Sequence, residues 1–214
     1  HVIDVEAAMR ADAPVLHDYM RTGGVTPKPE VASNIANRLE FKIGDPEAGF
    51  AAADVIVERT FRTEPVHQGY IEPHACLISV ALDGQATIWS SSQGHFMVRN
   101  ATAKMTGMAV GDVRAIPAEI GGGFGGKTIV YLEPLAMILA RKSGSPVKMV
   151  MSREEVFRAT GPTSGSVNSV KIGATRDGKI TAGEATFRFQ AGAFPGAPAR
   201  PAAMCAFAPY DIEN

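Results

Sequence analysis

The chain has 214 residues, of which 45% are hydrophobic and 20% charged, and its formal net charge is −1. That is enough chain to bury a sizeable core in one large or two small domains, with an ordinary globular composition. The near-neutral balance, without a dense lysine and arginine cluster, argues against nucleic acid or an anionic membrane surface as principal partner, and no apolar run approaches the roughly 20 residues of a spanning helix.

No signal-peptide pattern is visible, which points to the cytoplasm, although the chain begins at His1 without a methionine and a processed end could hide a leader. Cys76 and Cys205 lie far apart and lack metal-site spacing; a single disulfide is one reading, and two buried free thiols in a reducing compartment the favoured one.

Residues 1–40 are polar and interrupted by Gly23, Gly24, Pro27 and Pro29, as expected of an extended arm or linker from a preceding domain, with residues 41–214 forming the main domain. Asp45-Pro46-Glu47 is a helix start, combining an N-cap, a proline in the first turn and an acid near the positive end of the helix. The helix runs into Asp54, and 55–61 is a strand candidate. Two β-rich runs, 75–80 and 86–89, flank Asp83-Gly84, a hairpin turn signal, and the device recurs with 167–174 and 180–189 around Asp177-Gly178.

Between the hairpins, Ser90-Ser91-Ser92-Gln93 precedes an amphipathic helix over about 95–105, closed by Gly107. A strand over 113–120 leads into a glycine-rich run, and a helix over about 132–142 and a strand over 147–151 follow. Strands alternating with helices, mixed with antiparallel hairpins, predict an α/β to α+β fold with a mixed sheet and flanking helices, here a fragment of a larger subunit.

Gly121 to Thr128 satisfies G-x-x-x-x-G-K-[ST], the loop that cradles nucleotide phosphates. Three features count against a nucleotide-binding protein. Pro134 would remove the hydrogen bond to the Val130 carbonyl and clash with it, at a cost of roughly 3 kcal/mol, in any helix that began at the loop. The better parse starts the helix near Glu133-Pro134, which leaves no helix N-terminus at the phosphates. No downstream strand ends in a magnesium-binding acid, and Pro117 and Glu119 suit a central parallel strand poorly.

A second reading takes Phe124 at the centre of the run. Gly44-Asp45 with the following Ala-Asp-Val-Ile-Val run, His67-Gln68-Gly69-Tyr70-Ile71-Glu72-Pro73-His74-Ala75, Ser90 to Gln93, Gly121 to Lys127 and Met151-Ser152-Arg153-Glu154-Glu155 follow one another in order. Together they resemble, nearly end to end, the molybdenum-cofactor-binding subunit of the xanthine dehydrogenase and aldehyde oxidase family. The resemblance implies a molybdenum-dependent oxidoreductase that binds molybdopterin, with or without an appended nucleotide. It would oxidise a heterocycle, an aldehyde or a similar small substrate with water as oxygen source. It also implies iron–sulfur and FAD domains or subunits as partners, the remainder of the molybdenum subunit, and an oligomeric complex.

Carried over residue by residue, Gln93 would contact an oxo ligand of the metal through its amide, and Phe124 and Gly125 would lie at the metal, Phe124 supplying an N–H and a cavity wall. Gly121, Gly122, Gly123 and Gly126 would be backbone close to the pterin. Neither Gln93 nor Phe124 would ligate the metal, which the family holds through the pterin's sulfurs. No catalytic residue is assigned within this chain.

Glu72 and His74 would share one face of an alternating strand and could act as a general-base pair, but a polar pair anchoring that strand near the cofactor is the stronger reading. Arg153 to Glu155 starts a helix. Thr128 stands where many family members carry glutamate, which argues against strict xanthine specificity. The family's substrate-loop arginine and base glutamate would lie beyond Asn214, so the chain reads as an excised fragment or a piece of a split subunit, inactive alone. A cofactor-free scaffold of the same fold is the remaining alternative.

Overall fold

The computed structural model describes residues 2–213. They divide into two compact units, one built from the chain up to Pro65 and from Ser164 onward, the other from Val66–Thr163. In chain order the elements are helix α1 (Val5–Ala8), helix α2 (Pro46–Ala51), strands β1 (Val55–Thr63), β2 (Ala75–Val80) and β3 (Ala86–Ser90), helix α3 (His95–Thr106), strand β4 (Val113–Pro117), helix α4 (Glu133–Ser143), strand β5 (Val147–Val150), helix α5 (Arg153–Ala159), strands β6 (Ser166–Ala174) and β7 (Ile180–Phe189), and helix α6 (Ala199–Cys205). The fold is mixed α/β to α+β, with antiparallel hairpins and flanking helices.

The first unit is an antiparallel sheet in the order β1-β6-β7. Its hairpin turns at Asp177-Gly178, where the Thr175 N–H donates to the Lys179 carbonyl at 2.9 Å. The Asp45 side chain caps α2 by accepting from the Ala48 N–H at 3.3 Å, with Pro46 in the first turn.

The second unit is a mixed sheet in the order β4-β3-β2-β5. Strands β3 and β4 run parallel, joined through α3, whereas β2 is antiparallel to both β3 and β5. Alternate residues of β2 and β3 point to one face. Cys76, Ile78, Ala86 and Ile88 on that face form one core with Val98 and Ala103 of α3 and Ala136, Met137 and Ala140 of α4.

The topology decides where loops meet. The C-terminal ends of β3 and β4, the N-terminal end of β2 and the C-terminal end of β5 all lie at one edge of this sheet, because Ser90 pairs with both Cys76 and Pro117 and Ala75 pairs with Val150.

Helix α4 begins at Glu133, with Pro134 in its first turn, as the proline requires. The strand expected to reach Ile120 ends instead at Pro117, on the edge of the sheet, where a residue without an N–H can close a ladder. A capping box, Ser152 with Glu155, fixes the start of α5.

The expectation of two buried thiols is corrected. Both cysteines are free, but only Cys76 is buried, while Cys205 at the end of α6 is exposed. Burial, reinforced by the Glu133 charge, pushes the Cys76 thiol up to about 12. Iodoacetamide at neutral pH should therefore modify Cys205 and leave Cys76 intact until urea unfolds the chain, a difference that mass spectrometry of the alkylated peptides reads directly.

Candidate functional site

The segments singled out in the sequence meet at the sheet edge just described, all within Val66–Thr163. Gln93 follows β3 by three residues and the glycine loop follows β4. Adjacent parallel strands thus deliver both to the same end of the sheet, the usual ligand position of an open α/β sheet. The segment Tyr70–His74 enters from β2, and α5 leaves β5 beside it, its Arg153 guanidinium donating to the carbonyls of Tyr70, at 3.0 Å, and Ile71.

The loop is a tight bend held from outside. Gly122 has φ 92, Phe124 φ 49 and Gly125 φ 90, and Phe124 is the sole non-glycine residue with positive φ among the described residues. A bulky side chain in that region is a strained arrangement, kept only where the surroundings impose it. The Gly126 N–H closes the bend onto the Gly123 carbonyl at 2.7 Å.

The Gln93 side-chain oxygen accepts from the Gly125 N–H at 2.9 Å and the Lys127 N–H at 3.2 Å, and the Gln93 N–H donates to the Lys127 carbonyl at 2.9 Å. A Cβ on Gly123 would lie 2.4 Å from that same oxygen, so only glycine permits the approach.

What the loop leaves free is as informative as what it binds. The N–H groups of Gly122, Gly123 and Phe124 donate to no acceptor among the described residues, and neither does the Gln93 side-chain NH2. Helix α3 begins alongside at Gly94 with no side-chain cap, which leaves first-turn amides open at the positive end of its dipole. Phe124 is 72% exposed and belongs to no core cluster.

Lys127 behaves unlike a phosphate-loop lysine. Its side chain is 0% exposed, and Nζ lies 2.6 Å from Glu72 Oε2 and 5.1 Å from the centroid of the Tyr70 ring. The same Glu72 oxygen accepts from the Gly121 N–H at 2.7 Å. Partial burial works to raise the Glu72 pKa, but the hydrogen bonds from Lys127 and Gly121 and the Lys127 charge outweigh it, and the carboxyl titrates below its ordinary range. Removing one member of a buried pair costs roughly 3–5 kcal/mol, and the solvent left to Glu72 puts this one toward the low end.

The expectation for Glu72 and His74 is corrected in this geometry. Neither lies on a strand, since β2 begins at Ala75, and each is drawn to a different partner. His74 is buried, its Nε2 2.7 Å from the Tyr70 hydroxyl and its ring edge-on to Tyr131. Burial, together with the Lys127 charge, lowers its pKa.

For Gln93, the structure brings the expected residue to the expected loop, but its carbonyl oxygen is committed to the loop and its NH2 is the free group. Tyr70, whose ring a Cβ on Gly126 would approach to 2.6 Å, was not singled out by sequence reasoning. A tyrosine in an irregular segment ahead of β2 carries no periodic signal.

Residues 27–214 match the molybdopterin cofactor-binding domain family, and the chain belongs to it. It is 32% identical to the probable hypoxanthine oxidase XdhD of Escherichia coli K12, a match covering 90% of this chain and 23% of that protein. It is 29% identical to the nicotinate dehydrogenase large molybdopterin subunit of Eubacterium barkeri, covering 100% of this chain and 48% of the relative. Its backbone is similar to that of the CO dehydrogenase of Oligotropha carboxidovorans, with a TM-score of 0.64, 28% identity, and coverage of 86% of this chain and 24% of that one. The chain thus spans less than half the length of each.

Two outcomes follow. Gly123→Ala should push the Gln93 oxygen away and speed amide exchange at Gly125 and Lys127, measured by hydrogen–deuterium exchange. His74 titrates in the unfolded chain near the ordinary 6.5 but lower in the folded one, so it contributes stability above 6.5 that is lost as pH falls toward its folded value. The urea midpoint of His74→Gln, which can still accept from Tyr70, should vary less with pH across that window than the midpoint of the unaltered protein.

Proposed function

We propose that this chain forms part of the binding site for a molybdopterin cofactor within a larger oxidoreductase. The observation that carries the reading is the row of three free amides, Gly122 to Phe124, set beside the free NH2 of Gln93 and the uncapped start of α3. Together they form a cluster of free donors suited to an anionic group. The residues fit such a cofactor: side chains that would block close approach are absent at Gly122, Gly123, Gly125 and Gly126, and at Gly123 and Gly126 a Cβ would collide with Gln93 and Tyr70. In this reading the protein's part is to hold the cofactor, which carries the metal.

When bound, the cofactor supplies two-electron redox chemistry, in which the substrate's C–H bond and water become a C–OH bond with release of two electrons and two protons. Gln93 and the amides of Gly122, Gly123 and Phe124 orient the cofactor and stabilise negative charge that grows on it. The Gln93 oxygen is already used to brace the loop, so its NH2 is fixed in direction before any ligand arrives. The exposed Phe124 ring forms a wall of the substrate side, and Gly125 lies beside it. No residue of this chain is assigned as the base.

The electrons would pass to iron–sulfur and FAD partners. The names of the relatives favour a small heterocycle or carbonyl compound as substrate, and Thr128, whose hydroxyl is turned to the Gly125 carbonyl at 2.9 Å, offers no carboxylate to a purine.

The test is elemental and pterin analysis of the native protein, followed by Gln93→Ala. Molybdenum near one atom per chain is expected, with turnover per molybdenum reduced by about 10²-fold in the variant. A native protein free of molybdenum would favour a cofactor-free scaffold, and unchanged turnover would remove Gln93 from the site.

A further inference from the structure

Lys127, at the end of the anion-binding bend with its charge buried against Glu72, has no role in the cofactor contacts above. We propose that Glu72 is a positioning residue, whose carboxylate, through Lys127 and Gly121, holds the two ends of the glycine loop together and so keeps the amides of Gly122, Gly123 and Phe124 aimed at one anionic group. This rests on the molybdopterin reading.

The two ends of the loop are fastened differently. Lys127 is tied to the β3–α3 connection by its backbone: its N–H donates to the Gln93 oxygen at 3.2 Å, and its carbonyl accepts from the Gln93 N–H at 2.9 Å and the Ser92 hydroxyl at 3.1 Å. Gly121 has no such anchor. Among the described residues it is held only by Glu72, whose carboxylate accepts the Gly121 N–H at 2.7 Å and whose own N–H donates to the Gly121 carbonyl at 3.3 Å. A Cβ at Gly121 would come within 2.7 Å of the Glu72 Cβ, so the two backbones are as close as glycine allows.

The ion pair joins the fixed end to the loose one through a single oxygen, Oε2. Glu72 itself follows Tyr70 and Ile71, whose carbonyls Arg153 grips. The Tyr70 ring lies over Lys127 Nζ, and the fully buried lysine side chain keeps water off that end of the pair. Between the two fastenings, the Gly126 N–H on the Gly123 carbonyl fixes the peptide plane of the Phe124 amide, and the Glu72 N–H on the Gly121 carbonyl fixes that of the Gly122 amide. Glu72 sets the Gly122 amide directly and, by closing the span from Gly121 to Lys127, the approach of the whole bend. The same pairing neutralises Lys127, so the field at the bend comes from backbone dipoles.

The test compares the native protein with Glu72→Gln and with the double variant Glu72→Gln, Lys127→Met, which leaves no unpaired buried charge and so guards against simple misfolding. In cofactor-free protein, amide exchange in the peptide over 119–127 should rise by about tenfold or more in both variants, with α3 and α4 unchanged. In molybdenum-loaded protein, turnover per molybdenum should fall by about tenfold or more with KM altered less than about twofold, and the Mo(V) electron paramagnetic resonance spectrum should shift. Exchange that rises equally across the unit, or an unchanged spectrum and turnover in the double variant, would overturn the positioning role. A native protein without molybdenum would defeat the cofactor reading instead, and the exchange comparison would still decide whether Glu72 holds the loop.

Discussion

Glu72 Oε2 receives a hydrogen bond from the first residue of the glycine loop and an ammonium from its last lysine, and the site is arranged around that double contact. Its strength comes from where it sits. The Lys127 side chain is shut away from solvent, so its charge is compensated by the protein or not at all. Glu72 keeps part of its surface in water and is the less strained partner. The pair therefore acts less as a reservoir of stability than as a constraint on geometry: it fixes the distance between residues 121 and 127, and a bend of fixed span has few ways to point its amides.

Gln93 supplies the second constraint. A side-chain amide has an acceptor and a donor end, and here the acceptor is spent on the Gly125 and Lys127 N–H groups. The donor end is thereby oriented without ligand, which is what preorganised electrostatics requires. Phe124, held at φ 49 with its ring exposed, is the local strain that these constraints maintain. The contrast with a triphosphate loop is electrostatic as well as geometric. There a lysine and a helix N-terminus face the ligand, whereas here the lysine is neutralised and the next helix starts only at Glu133, well past the bend.

Much of this was legible in the chain itself. Both hairpins fall around their Asp-Gly turns because those residues take the turn conformation at little cost. The Glu133 start of α4 follows from Pro134, and the bounds of α3 follow from the apolar period and Gly107. Gln93 and the loop could be named as candidates because their motifs, in order, resemble those of the molybdenum-cofactor family, and glycines without Cβ and an amide at a strand end suit that role locally.

Pairing at a distance was not legible. Glu72 and Lys127 are 55 residues apart and meet because β2 runs antiparallel to β3 while β4 runs parallel to it, which brings three loops to one sheet edge. Alternation suggested a strand through Glu72 and His74, yet the carboxylate follows the buried ammonium and the imidazole follows the Tyr70 hydroxyl, since an unpaired buried polar group costs more than a lost strand turn. The local chain determined which backbone conformations were possible and which residues could line a site. Tertiary structure alone decided which charge faces inward and which amides remain free, because burial and partner choice depend on residues that the chain order keeps apart.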